Sequence, residues 1–80
     1  MKFFIYILYS KKLDIYYKGF SLDVEQRLLE HIDGKSNFTS KVNDWKLVYS
    51  KSFATKREAL IEERRLKKLN RSSLEKIIIG

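Results

Sequence analysis

The segment DIYYKGFS, residues 14–21, sets two adjacent tyrosines, a lysine and a glycine inside a run of strand-forming residues. Alternation along a strand sends Tyr16 to one face with Lys18 and Phe20, and Tyr17 to the other with Gly19. A strand tyrosine is ordinarily a packing residue, and Tyr16 is read that way. Tyr17 gains chemical interest from its company. Tyr6 stands in the apolar run before it, Arg27 and the sole histidine, His31, follow four residues apart, and Glu63 lies between Leu60 and Leu66. A phenol, with a pKa of about 10, is a poor base near neutrality unless a cation such as Arg27 or Lys18 stabilises its phenolate. A guanidinium is shaped for bidentate contact with phosphate. A glutamate on the inward side of a helix carries a desolvation cost that a metal ion or a cationic partner removes. Together these groups suit acid–base chemistry on an anionic substrate. Each also has an ordinary role: Tyr6 as core, Arg27 as a snorkelling cation, His31 as a structural imidazole, and Glu63 as the partner of Lys67 one turn on. Glu62, beside Ala59 and Leu66, competes with Glu63 for the inward position.

The elements that must position these residues follow from periodicity. Phe3–Tyr9 is a continuous apolar run, which predicts a strand covered on both faces. KKLD is a turn, and Ile15–Phe20 returns as a second strand. If Lys11-Lys12 is the turn centre, Tyr6 faces Tyr17 directly. A register shift of two residues leaves them diagonal on one face, and a shift of one would separate them. Ser21 is placed to cap a helix from Leu22 to about Ile32, with Asp23 and Glu25 in its first turn. Val24, Leu28 and Ile32 form its apolar stripe, and Arg27 and His31 flank that stripe. DGKSNFTSKVND, residues 33–44, is the longest connection, with room for a short helical turn. Trp45–Phe53 alternates as a third strand with one apolar face and Trp45 in the core. Thr55 and Glu58 have capping-box spacing for a helix to about Leu69, and Ser72 and Glu75 repeat it before a last short helix. The order β-β-α-β-α-α predicts an α+β domain over residues 1–80, a three-stranded antiparallel sheet flanked by helices.

Composition narrows the class. Eighty residues suit one small domain, and 44% hydrophobic content argues for a packed core. Seventeen Lys and Arg against ten Asp and Glu leave a net charge of +7, a balance that most often meets nucleic acid, with an anionic membrane as the rival. The absence of cysteine excludes disulfides and thiolate metal sites and fits a reducing cytoplasm. The opening MKFFIYILYSKK is too short and lacks the small-residue site of a secretory signal, and it falls far below a membrane span. Residues 51–80 carry nine Lys or Arg against four acids. Arg64, Lys67, Lys68 and Arg71 in that stretch, with Lys35 and Lys41 in the long connection, are the candidate phosphate contacts.

The ordered set FIYILYS, YYKGFSLDVEQRLLEH, GKSNFTSK, WKLVY and EALIEERRLKKL resembles the GIY-YIG nuclease family, in its short stand-alone bacterial form, over almost the whole chain. No three-letter piece is specific. The Tyr17–Gly19–Arg27–His31 spacing followed by a helical glutamate is. The resemblance implies metal-dependent hydrolysis of phosphodiesters, usually in DNA, with Mg²⁺ or Mn²⁺ as a single ion. It implies Tyr17 as general base toward the attacking water and Tyr6 hydrogen-bonding beside it. Arg27 would hold the phosphate, and His31 would support proton transfer or phosphate orientation. Glu63 would be the metal ligand, and Gly19 would permit close backbone approach. Phe4 stands where the family has glycine, and Lys18 replaces an apolar residue; by strand parity Lys18 points away from Tyr17. The family's late asparagine has no clear counterpart, although Asn70 is near in sequence.

One carboxylate is enough for Mg²⁺, which keeps most of its waters and borrows phosphate oxygens. Two rival readings accompany the nuclease: a non-catalytic module binding DNA or RNA through the same basic surface, and a basic protein–protein adaptor. The absence of an evident exposed apolar helix face counts against the adaptor.

Overall fold

The computed structural model describes residues 1–34 and 39–80. Three strands form one antiparallel sheet in the order β2-β1-β3, with β1 at Phe3–Ser10, β2 at Ile15–Ser21 and β3 at Lys46–Phe53. The central position of β1 explains its unbroken apolar run. Ile5, Tyr6, Ile7 and Leu8 are all buried because both faces of this strand are covered. Ile5 and Ile7 pack with Ala59, Leu66 and Leu74 from α2 (Lys56–Lys68) and α3 (Arg71–Ile79). Tyr6 and Leu8 pack on the other face with Trp45 and with Val24, Leu28 and Ile32 of α1 (Val24–Ile32).

The hairpin takes the register shifted by two residues from a Lys11-Lys12 centre. The turn spans Lys11–Asp14, so Gly19 stands opposite Tyr6, and Leu8 opposite Tyr17. The two tyrosines are therefore diagonal neighbours on one face. Asp14 closes the turn with φ of 54° and its N–H on the Ser10 carbonyl at 2.7 Å. Aspartate tolerates this left-handed conformation better than most side chains.

Two caps also move. Asp23, not Ser21, caps α1, its carboxylate accepting from Gln26 N at 3.1 Å. Ser21 is still in the ladder, paired with Phe4, and its hydroxyl instead bridges the backbone N and O of Asp23. Asn70, not Ser72, caps α3 by accepting from Ser73 N. Only two residues separate α2 from α3, so Asn70 is the last position outside the new helix and Ser72 already lies in its first turn. Thr55 caps α2 as its spacing predicts.

Strand β3 does not keep a single apolar face. A register break between Ile7 and Leu8 pairs them with Tyr49 and Leu47, which leaves Val48 as an extra residue. Leu47 joins Trp45 on the α1 side, while Val48, Tyr49 and Phe53 pack on the α2 side.

Arg71 fastens α3 to the hairpin turn. Its guanidinium reaches the Asp14 carboxylate at 2.6 Å, the Asp14 carbonyl at 3.0 Å and Glu75 at 3.2 Å, over the Tyr16 ring. Tyr9 donates to Asp14 at 2.6 Å and Tyr16 to Glu75 at 2.9 Å. Arg71 and Tyr9 hold the Asp14 carboxyl below its usual range, so the clamp is intact above the ordinary carboxylate pKa and is lost as that group protonates. Arg71→Ala is expected to lower the thermal midpoint more than Lys68→Ala, and that deficit should shrink below about pH 3.9. Midpoints measured for both variants across pH check it.

Candidate active site

Tyr6 is the centre of the polar cluster, and Gly19 is what lets it lie where it does. A Cβ on Gly19 would stand 2.5 Å from both Cζ and Oη of Tyr6, so the phenol crosses the neighbouring strand through space that only glycine leaves open. The hydroxyl is buried and must be hydrogen-bonded. His31 meets it, with Nε2 2.9 Å from the Tyr6 oxygen. The other ring nitrogen, Nδ1, lies 2.6 Å from the Thr39 hydroxyl. Tyr6, His31 and Thr39 are each at most 1% exposed. Thr39 opens a single 3₁₀ turn, Thr39–Lys41, and its carbonyl accepts from the Trp45 indole at 2.9 Å.

Tyr17 is half-buried on the same face. Its ring presents an edge to His31 with centroids 4.9 Å apart, and lies 6.4 Å from both Tyr6 and Trp45. Arg27, one turn before His31, pairs with Glu30 at 2.8 Å, and its charge acts on the Tyr6 hydroxyl. The electrostatics draw these groups into one site. Burial pushes the Tyr6 hydroxyl up to about 12, and neighbouring Tyr17 adds to that. The charge and hydrogen bond of Arg27 oppose it, and Glu63 contributes a smaller push upward. Burial, reinforced by Arg27, lowers the His31 pKa, so the imidazole is neutral near pH 7.

The two glutamates of α2 have different surroundings. Glu62 is gripped bidentately by Arg65, at 2.5 and 2.7 Å, and lies within the field of Lys51 on β3. Glu63 makes only a long contact with Lys67, 3.7 Å away, and its charge is felt at Tyr6. Among the described residues, no group of three or more His, Asp or Glu forms a metal cage. The donor is one partly exposed carboxylate whose charge reaches Tyr6. It fits a hard cation that keeps most of its water.

The basic residues have several fates. Lys67 lines a shallow depression with Tyr16, Tyr17 and Lys18. Arg64 shares the outward side of α2 with Lys56, Arg57, Leu60 and Ile61, and Lys68 is exposed. Ile61, 54% exposed, gives α2 an apolar patch that periodicity did not flag. Lys41 is exposed beside Lys12 and Asn43, whereas Lys35 lies outside the described residues. Arg71 is engaged in the clamp with Asp14 and Glu75, so we remove it from the candidate phosphate contacts. Lys18 does turn to the face opposite Tyr17, near Leu69, Arg71 and Leu74.

A family model described as the GIY-YIG catalytic domain matches residues 2–77. The chain belongs to the GIY-YIG family. Among curated proteins it is similar to the UPF0213 protein BLi00048/BL00536 of Bacillus licheniformis, 41% identical over 63 residues, or 78% of this chain and 65% of that one. It is also similar to the UPF0213 protein SSP2268 of Staphylococcus saprophyticus, 35% identical over 96% of this chain and 94% of the relative. The solution structure of the UPF0213 protein BH0048 from Bacillus halodurans superposes with a TM-score of 0.63. It is 32% identical and covers 98% of this chain and 83% of that one. The chain thus groups with short bacterial members of the family.

Thr39 is the site neighbour that sequence reasoning missed. It sits in the segment read as a connection, where only its place eight residues after His31 could have drawn attention.

Two measurements check the geometry around Tyr6. Gly19→Ala is expected to destabilise the fold by about 1–3 kcal/mol, because the Tyr6 ring must leave its place; denaturant unfolding reads it. In a spectrophotometric titration the last phenol should ionise near pH 12, and Tyr6→Phe should remove that step. Since an unfolded tyrosine ionises near pH 10, neutral Tyr6 supports the fold fully below that pH. The support fades as pH rises from about 10 to about 12.

Proposed function

We propose that this chain is a metal-dependent endonuclease that hydrolyses phosphodiester bonds in DNA. The observation that carries the reading is the cluster of Tyr6, Tyr17, Arg27 and His31, drawn from three separate elements, within reach of the Glu63 charge from α2. A structural core has no need of a neutral histidine, two phenols, a guanidinium and a half-buried carboxylate in one place. A phosphoryl displacement uses all of them.

Tyr17, the less buried phenol, takes the proton of the attacking water. Arg27 spans two non-bridging oxygens of the scissile phosphate and offsets the charge that grows on them. Tyr6, held between Arg27 and His31, fixes the direction in which Tyr17 and the substrate approach. A divalent ion, Mg²⁺ or Mn²⁺, carried by Glu63 would polarise the phosphate and ease departure of the leaving oxygen. Arg64, Lys67, Lys68 and Lys41 supply phosphate contacts that orient the duplex without reading its sequence.

Incubating the purified chain with plasmid, branched and single-stranded DNA, with and without Mg²⁺ or Mn²⁺, tests the reading. Metal-dependent cleavage is expected, falling by about 100-fold or more in Tyr17→Phe and in Arg27→Ala, and lost in Glu63→Ala. The pair Arg64→Ala and Lys68→Ala should instead weaken binding evenly across sequences and flatten its salt dependence. Tight, salt-sensitive binding with no metal-dependent cleavage would overturn the enzyme and leave a nucleic-acid-binding module.

A further inference from the structure

We propose that Thr39 is a positioning residue of the site: its hydroxyl accepts from Nδ1–H of His31 and so holds the imidazole in the tautomer whose bare Nε2 accepts the hydrogen bond of the Tyr6 hydroxyl. As a catalytic role for His31 this rests on the nuclease reading; as a statement about the ring it stands on geometry alone.

A neutral imidazole has one N–H and one bare nitrogen, and both nitrogens of His31 are occupied, by Tyr6 at 2.9 Å and Thr39 at 2.6 Å. Each hydroxyl can donate or accept, so the two contacts alone permit either tautomer. Arg27 breaks the symmetry. Its guanidinium is a donor-only cation one turn before His31, and its charge acts on the Tyr6 hydroxyl. A neighbouring cation draws the phenolic oxygen toward itself and turns the hydroxyl hydrogen away, onto the acceptor at hydrogen-bond distance, Nε2. The ring hydrogen then belongs on Nδ1, and Thr39 is its acceptor. Burial of all three side chains leaves no water to substitute for a missing partner.

Thr39 is itself held. It stands at the start of the 3₁₀ turn, and its carbonyl takes the indole N–H of Trp45, whose ring is 4% exposed. Trp45 in turn edges Tyr17. The hydroxyl that fixes His31 is therefore tied to the same aromatic layer that carries both phenols. The chain Tyr6–His31–Thr39 is thus directional, with both donors facing away from Arg27.

The single histidine makes the test unambiguous. Long-range ¹H–¹⁵N correlation spectra of the uniformly ¹⁵N-labelled full chain distinguish a protonated ring nitrogen from a bare one. The wild type should show Nδ1 protonated and Nε2 bare. Thr39→Ser should keep that pattern, and Thr39→Val should lose it toward Nε2–H or a mixture. Cleavage by Thr39→Val should fall by about 10-fold or more, with Thr39→Ser restoring most of it. A wild-type ring protonated at Nε2 overturns the proposal, as does a Thr39→Val protein with unchanged ring spectrum and unchanged cleavage. If Thr39→Val does not fold, the wild-type and Thr39→Ser spectra decide alone. A wild type with the Nδ1–H ring but no cleavage of any DNA supports the proposal for the ring and counts only against the nuclease.

Discussion

The passage of the Tyr6 ring over the bare backbone of Gly19 is the constraint from which the site is built. A phenol in the middle of a central strand would otherwise be core, and its hydroxyl a liability. Because Gly19 lacks a side chain, the ring extends across β2 and its oxygen arrives among Tyr17, His31 and Arg27. Once buried there, the oxygen must be satisfied, which fixes His31, and the far side of that imidazole must be satisfied in turn, which fixes Thr39. A chain of obligatory hydrogen bonds thus runs from the centre of the sheet into the long connection.

Charge is arranged with similar economy. Three of the five arginines have carboxylate partners: Arg27 with Glu30, Arg65 with Glu62, and Arg71 with Asp14 and Glu75. The pairs at Arg65 and Arg71 lie on the α2–α3 side, where they tie helix to helix turn and helix to hairpin. Their worth at the exposed surface is small singly, but Arg71 also covers the Tyr16 ring and gathers two acids and a carbonyl. Arg57 and Arg64 pair with no carboxylate among the described residues and contribute to the +7 surplus that draws a polyanion.

Most of the scaffold could be read from the residues. The apolar run of β1, the capping box at Thr55 and the flanking position of Arg27 each carry a local physical signal, and the structure agrees with all three; His31, read as flanking the same stripe, is instead the most buried residue of α1. The alternation of β2 likewise sent Tyr17 and Lys18 to opposite faces. What escaped depends on partners far away in sequence. The turn length that puts Gly19 opposite Tyr6 is set by Asp14 in a left-handed conformation and by its bonds to Tyr9 and Arg71. The choice of Asp23 over Ser21 follows from how far the ladder with β1 continues. Arg71 looked like one more cation in a basic run because nothing local reveals that Asp14, 57 positions earlier, is beneath it. Thr39 was invisible for the same reason. A threonine in a polar connection has no periodicity to betray it.

The extra residue in β3 has a thermodynamic consequence. Without it, the large apolar residues of β3 would all fall on one face, and β1 and β2 alone would serve both helical layers. With Leu47 and Trp45 committed to the α1 layer and Val48, Tyr49 and Phe53 to the α2–α3 layer, β3 is common property of both. Loosening α1 uncovers residues whose immediate neighbours anchor the opposite layer, so partial opening on one side is transmitted through the strand. The two halves of this small core are thereby joined through β3 as well as β1, and the layer that holds the polar cluster around Tyr6 opens only at the expense of contacts on the other side.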